Sequence, residues 1–144
     1  MDDLLIRYLH FIGIILLAST LAAENVLLSK NLKIATVKKL ALIDGFYGVS
    51  AITVLAAGLL LWFVVGKPSE FYSSNTFFHV KLGLFAFIAL LSVFPTIFFL
   101  NARQSVAAEV LVPSYVIYIK RIEAVTLLLL PLFAVLMARG YGNA

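Results

Sequence analysis

The chain holds two histidines, and each falls near the start of an apolar run: His10 in RYLHFIGIILL and His79 in FFHVKLGLFAFIALL. Lys81 follows two residues after the second. An imidazole can ligate a metal or haem iron, and it can carry a proton at neutral pH. Ionisable groups inside a bilayer are costly, and they usually face a protein interior, a cavity or a cofactor. What these three residues can do depends on the elements that carry them.

Composition fixes those elements. Of 144 residues, 63% are hydrophobic and 12% charged, with a mean hydropathy of +1.09. Soluble domains average about half apolar and about a quarter charged. A spanning helix needs roughly 20 mainly apolar residues. Four stretches meet that length, at about 4–27, 40–65, 76–100 and 114–138. They predict an all-α integral membrane four-helix bundle in a single domain, residues 1–144. These runs are too long and continuous for barrel strands. The acidic start, Asp2 and Asp3, and the lack of a small-residue cleavage site before Glu24 point to a retained first helix rather than a signal peptide. GKPSEFYSSN reads as a turn, and the loop around 101–113 as carrying a short surface helix. The glycines of GFYGVS and ARGYG read as close helix packing and a helix stop.

Several chemistries are excluded or unsupported. Without cysteine there is no disulfide, thiolate catalysis, iron–sulfur cluster or covalent haem attachment. No phosphate-binding glycine loop is present. The net charge of +4 reads as membrane anchors rather than a nucleic-acid surface.

Depth and helical phase narrow the histidine site. His10 and Lys81 each lie roughly 7–9 Å along their helices, so they can share a layer. Residues 79 and 81 are about 200° apart, so only one can face inward. The Lys81 stripe continues through Phe85, Ile88, Ser92, Thr96 and Arg103. The His79 stripe continues through Gly83, Ala86, Leu90, Val93 and Ile97, and suits lipid. His10 shares its stripe with Gly13, Leu17, Thr20 and Glu24. His10 therefore pairs with Lys81, and His79 ranks second. A b-type haem needs an axial ligand, an apolar slot and positive groups for its propionates. His10 is the candidate ligand to its iron, and Arg7 the nearest propionate partner, with Lys67 and Arg139 near the same surface. Phe11, Trp62, Phe77, Phe78 and Phe133 are candidate slot walls. A copper set of His10, His79 and Met137 has few soft ligands. The plain alternative is a histidine bonded to a neighbouring helix and a lysine reaching outward to the interface.

A second group gathers near the opposite ends of the helices: Glu24, Asp44, Arg103, Lys120, Arg121 and Glu123, drawn from all four. Pairing is expected, since each is costly in lipid alone. Such a layer fixes helix register; alternatively it carries protons, with Tyr47 joining it. Pro95 and Pro131 should kink their helices, freeing carbonyls that Ser92 or Thr126 can help satisfy.

The whole chain resembles an uncharacterised family of small bacterial four-helix membrane proteins. The residues that carry the likeness are RYLH, the D-x-x-Y-G-x-S run from Asp44 to Ser50, FY-x-x-N from Phe71 to Asn75, the helix-three lysine, S-x-x-P-T from Ser92 to Thr96, and ARG-x-G from Ala138 to Gly142. Helices one and three also resemble, more distantly, HemJ-type protoporphyrinogen IX oxidases and CopD-like proteins. The former resemblance implies haem b binding by a helix-one histidine and a helix-three lysine, which fall on His10 and Lys81. After the histidine this chain reads ASTLAAENVLL, which differs from the oxidase pattern.

Two kinds of function are therefore expected. One is haem b or porphyrin binding near the outer leaflet, with electron transfer to quinone or porphyrinogen oxidation. The other is a small transporter or ion-conducting subunit, or else a ligand-free scaffold. A homodimer would enlarge the limited interior of four helices. The expected location is a bacterial inner membrane. Lys30, Lys33, Lys38, Lys39, Arg103, Lys120 and Arg121 lie toward one side, against Arg7, Lys67, Lys81 and Arg139 toward the other. The excess of cations predicts that the first group is cytoplasmic and both termini are outside. A topology reporter fused after Ala144 should be active only outside; activity only in the cytoplasm would reverse this orientation.

Overall fold

A computed structural model describes residues 2–65 and 74–142. Four helices long and apolar enough to span a membrane dominate it. They are α1 (Asp2–Leu27), α2 (Ile34–Leu60), α3 (Thr76–Ala102) and α4 (Ser114–Ala138). A π-helical turn, Leu61–Val65, extends α2. The helices pack in a ring, α1 on α2, α2 on α3, α3 on α4 and α4 on α1. Lys67 and most of the GKPSEFYSSN turn lie outside the described residues.

The helices are apolar almost all round, as expected of elements with lipid on one side and protein on the other. Among the described residues, the inward faces carry two compact apolar clusters. One joins Leu28, Val37, Leu40, Phe99 and Val116 among its members. The other joins Leu17, Leu21, Tyr47 and Ile88. On α3 the phase is plain. Gly83, Ala86, Leu90, Val93 and Ile97 are exposed, whereas Ile88 and Pro95 are buried. Close contact between α1 and α2 comes from small residues. A Cβ on Gly13 would stand 2.8 Å from the Val54 methyl, and one on Gly58 would stand 3.4 Å from the His10 ring.

Three features differ from the sequence reading. First, α2 begins at Ile34, not near residue 40, so Lys38 and Lys39 belong to the helix. Second, the loop after α3 holds no surface helix. Instead β2 (Glu109–Leu111) pairs antiparallel with β1 (Asn31–Lys33), tying the two loops at that end into a ribbon. Ile34 N–H, which no preceding helical turn can serve, donates to Ala108 O at 3.0 Å. Third, Gly45 and Gly48 do not mark close packing, because a Cβ at either would meet nothing within 4 Å.

The opposite, terminal end is closed by backbone rather than side-chain bulk. Asn75 caps α3 by accepting from Phe77 N–H and Phe78 N–H, and its amide donates to Tyr141 O at 3.1 Å. Thr76 N–H donates to Gly142 O at 3.0 Å. Gly142 sits at φ +85°, and a Cβ there would come within 2.6 Å of the Phe77 ring, so glycine is required. Parts of the FY-x-x-N and ARG-x-G runs thus meet in one tie.

Candidate functional site

The buried polar layer lies between the two apolar clusters, one helical turn from each. Lys120 is its centre. Its residue position on α4, six beyond Ser114, sets it about 9 Å into the span. The ammonium Nζ lies 2.7 Å from Glu24 Oε2 on α1, 3.1 Å from Asp44 Oδ1 on α2 and 3.6 Å from Glu123 Oε2 on α4. It also lies 4.3 Å from the centroid of the Tyr47 ring, in cation–π range. The Tyr47 hydroxyl donates to Glu123 Oε1 at 2.9 Å. From α3, the Thr96 hydroxyl donates to Asp44 Oδ2. Every helix therefore contributes. Lys120, Glu24 and Glu123 are fully enclosed, and Asp44 retains 6% exposure.

The stoichiometry is unequal. Three carboxyl groups surround one ammonium. Fully ionised, they would leave two uncompensated negative charges in a medium that cannot solvate them. Glu24 Oε1 has no hydrogen-bond partner, although no solvent reaches it. Buried unpaired charge is among the most destabilising arrangements a protein can hold. Protons on the carboxyls are the simplest compensation.

Two of the six cations and anions expected here are elsewhere. Arg103 is exposed just past the end of α3, where it cannot join an enclosed layer. Arg121 is also exposed, because it lies about 100° round α4 from Lys120. It donates to Asn25 O at 2.9 Å, while the Asn25 amide donates to Lys120 O at 3.1 Å. This latch joins α1 to α4 beside the cluster. Ser92 donates to Ala89 O at 2.7 Å, not to the Leu91 carbonyl that Pro95 frees.

A cavity of about 200 Å³ opens between α2 and α3 beside this layer. Its walls include Leu17, Ile52, Phe85 and Ile88, and its polar rim includes Asp44, Ser92 and Thr96. Asp44 is the only carboxyl of the three among its lining residues. The D-x-x-Y-G-x-S and S-x-x-P-T runs thus converge on one cavity.

Toward the terminal end, His10 and Lys81 are half-buried on inward faces, and His79 is exposed. His10 Nδ1 lies 3.2 Å from Val54 O. A carbonyl only accepts, so Nδ1 carries the proton, and in the neutral ring Nε2 then keeps its lone pair. Lys81 and Arg7 are within electrostatic reach of the ring. Arg7 is engaged by Asp3 at 3.0 Å. The proposed slot walls are dispersed. Phe11 is exposed, Phe77 stacks on Phe133 at 5.6 Å, and Trp62 meets Phe78 edge-on at 4.8 Å. His79 lies on a different face from Lys81, so a copper set with His10 does not converge. No group of three or more His, Cys, Asp or Glu suited to a metal occurs among the described residues.

These features define a four-helix integral membrane protein with a buried ionisable layer. The chain belongs to the family described as a predicted membrane protein, DUF2214, whose model matches residues 2–142. No curated protein and no solved structure matches it.

The unequal stoichiometry ranks the substitutions. Lys120→Met removes the shared cation and should destabilise the detergent-solubilised protein by roughly 3–5 kcal/mol, more at pH 8 than at pH 5, because protonation of the remaining carboxyls removes their charge. Asp44→Asn leaves two carboxyls for the lysine and should cost less. Thermal unfolding at both pH values checks the order; equal losses would mean that each carboxyl is an obligatory ion-pair partner.

Proposed function

We propose that the buried layer is a proton-exchange site in a small transporter or ion-conducting subunit of a bacterial inner membrane. The observation that supports this most directly is the excess of carboxyls over cations in an enclosed layer bordered by a cavity. A purely structural ion pair needs one carboxylate for one ammonium. Here two further carboxyls require protons, or another cation, to remain buried. Such protons are exchangeable where a path to them exists, and Asp44 at the cavity rim supplies one. The Thr96 hydroxyl donates to Asp44 and has its own lone pairs to accept from the cavity. Lys120 can then redistribute its contact among three carboxyls as one gains or loses a proton. The kink residue Pro95 stands next to Thr96, on the helix that forms one wall.

The protein's own carboxyls report this directly. Infrared difference spectra between acidic and neutral pH should show the C=O stretch of a protonated carboxylic acid. Glu24→Gln or Glu123→Gln should alter that band. A spectrum without any pH-responsive protonated carboxyl would reduce the layer to structure alone.

A second reading rests on a different observation, the His10 tautomer. A ring whose Nδ1–H is held by a backbone carbonyl presents Nε2 in the form that binds iron. His10 would be the axial ligand of a haem b, with Lys81 and Arg7 near its edge for propionates or a porphyrin. The resemblance of helices one and three to HemJ-type oxidases and CopD-like proteins implies the same pair. Haem b would supply one-electron redox chemistry, with quinone a fitting membrane partner. Protein made with ample haem should show the Soret and reduced α bands of a b-type haem. His10→Ala should abolish them, and exposed His79→Ala should leave them. A colourless protein after haem reconstitution ends this reading.

A further inference from the structure

We infer that the α2–α3 cavity binds a small organic cation with an apolar body, which enters beside Asp44 in exchange for a proton of the carboxyl layer. This deepens the proton-exchange reading by naming what trades places with the proton.

The charge argument comes first. The layer around Lys120 has carboxyls in excess, and Glu24 Oε1 is enclosed with no hydrogen-bond donor. Two kinds of charge can neutralise the excess, a bound proton or a second cation. The cavity can deliver that cation to one carboxyl, Asp44, because Glu24 and Glu123 are fully enclosed and absent from its lining. The groups facing Asp44 are Lys120 from α4 and Thr96 from α3, with Glu24 from α1, Glu123 from α4 and Tyr47 of its own helix coupled to it through space. No second ammonium or guanidinium competes for it within the cavity lining.

The walls then decide the kind of cation. A hydrated metal ion needs a shell of oxygen ligands, and apolar side chains offer none. The cavity surface is mainly apolar, formed by Leu17, Ala51, Ile52, Phe85 and Ile88. Phe85 adds an aromatic face, which attracts weakly hydrated organic cations. A volume of about 200 Å³ suits a small amine or quaternary ammonium rather than a macrocycle. The opening lies between two membrane-spanning helices, so an amphiphilic cation can approach from the bilayer. Gly48, lining the same cavity, carries no side chain to fill it.

Benzyltrimethylammonium is a suitable probe, with neopentylbenzene as its uncharged carbon isostere. Titrated into weakly buffered, detergent-solubilised full-length protein, the cation should bind saturably and release about one proton per site. In the pH range where that proton competes, affinity should fall roughly tenfold for each unit by which the pH is lowered. Asp44→Asn, which removes the anion that meets the cation, should weaken binding at least tenfold and abolish the coupled proton release. Ala89→Phe, which puts a ring into the cavity from α3, should weaken binding at least tenfold while the protein elutes as a folded species. Equal competition by neopentylbenzene would make the cavity a mere apolar slot and overturn the inference. Absence of cation binding, alongside a pH-responsive carboxyl band, would overturn it while leaving the proton-exchange reading intact. Binding with no proton release and no such band would overturn both.

Discussion

One ammonium holds this bundle in register. Lys120 is enclosed in a span and reaches carboxyls from α1, α2 and its own helix, while Thr96 of α3 completes the Asp44 contacts. In lipid, burial of apolar side chains gives little preference for helix contact, since acyl chains are as apolar as leucine. Long helices with exposed aliphatic faces could slide or rotate at small cost. A shared buried charge forbids that, because any shift strands it without partners. The two modest apolar clusters on either side can then pack against a fixed reference.

The two ends are built differently around this layer. At one, the β-ribbon joins the loops that connect α1 to α2 and α3 to α4, so backbone hydrogen bonds fix both helix pairs. At the other, Asn75 and Gly142 bind the start of α3 to the segment after α4. Among the described residues neither device joins α2 to α3, and the cavity lies between them. An opening beside the charged layer is therefore compatible with a rigid bundle, since the backbone ties sit at the two ends and the Thr96 hydroxyl of α3 holds Asp44 of α2 across the seam.

Much of this was legible in the residues. Continuous apolar runs gave the spans, and α4 was read with the bounds it has, because Pro113 and Ser114 mark its start and Gly140 its end. The inward face of α3 followed from the polar stripe of Lys81, Ser92 and Thr96. Other features left weaker signals. Strands of three residues, NLK and EVL, are too short to show alternation, and their pairing spans about eighty residues of sequence. Lysines in KNLKIATVKKL disguised the first turns of α2 as loop. Lys120, Arg121 and Arg103 looked equivalent by depth alone. Helical phase separates them: Lys120 and Glu123 stand at i, i+3 on one face, whereas Arg121 turns away and Arg103 follows the helix end. The excess of carboxyls became visible only once those two arginines were removed from the layer.

Distance along α1 then constrains how the two candidate sites can relate. His10 and Glu24 share a face, but fourteen residues separate them, about 21 Å of helix. Leu17 and Leu21 occupy the same face between them and are buried. Direct transfer between the two side chains cannot cover that span, and Thr20, the half-buried hydroxyl on this face, donates to the Leu16 and Leu17 carbonyls of its own helix. Asp44 is the carboxyl of the cluster that borders the cavity, and Leu17 forms one of that cavity's walls instead of lying between the two. The imidazole and the carboxyl cluster are thus separate sites, about four turns of α1 apart.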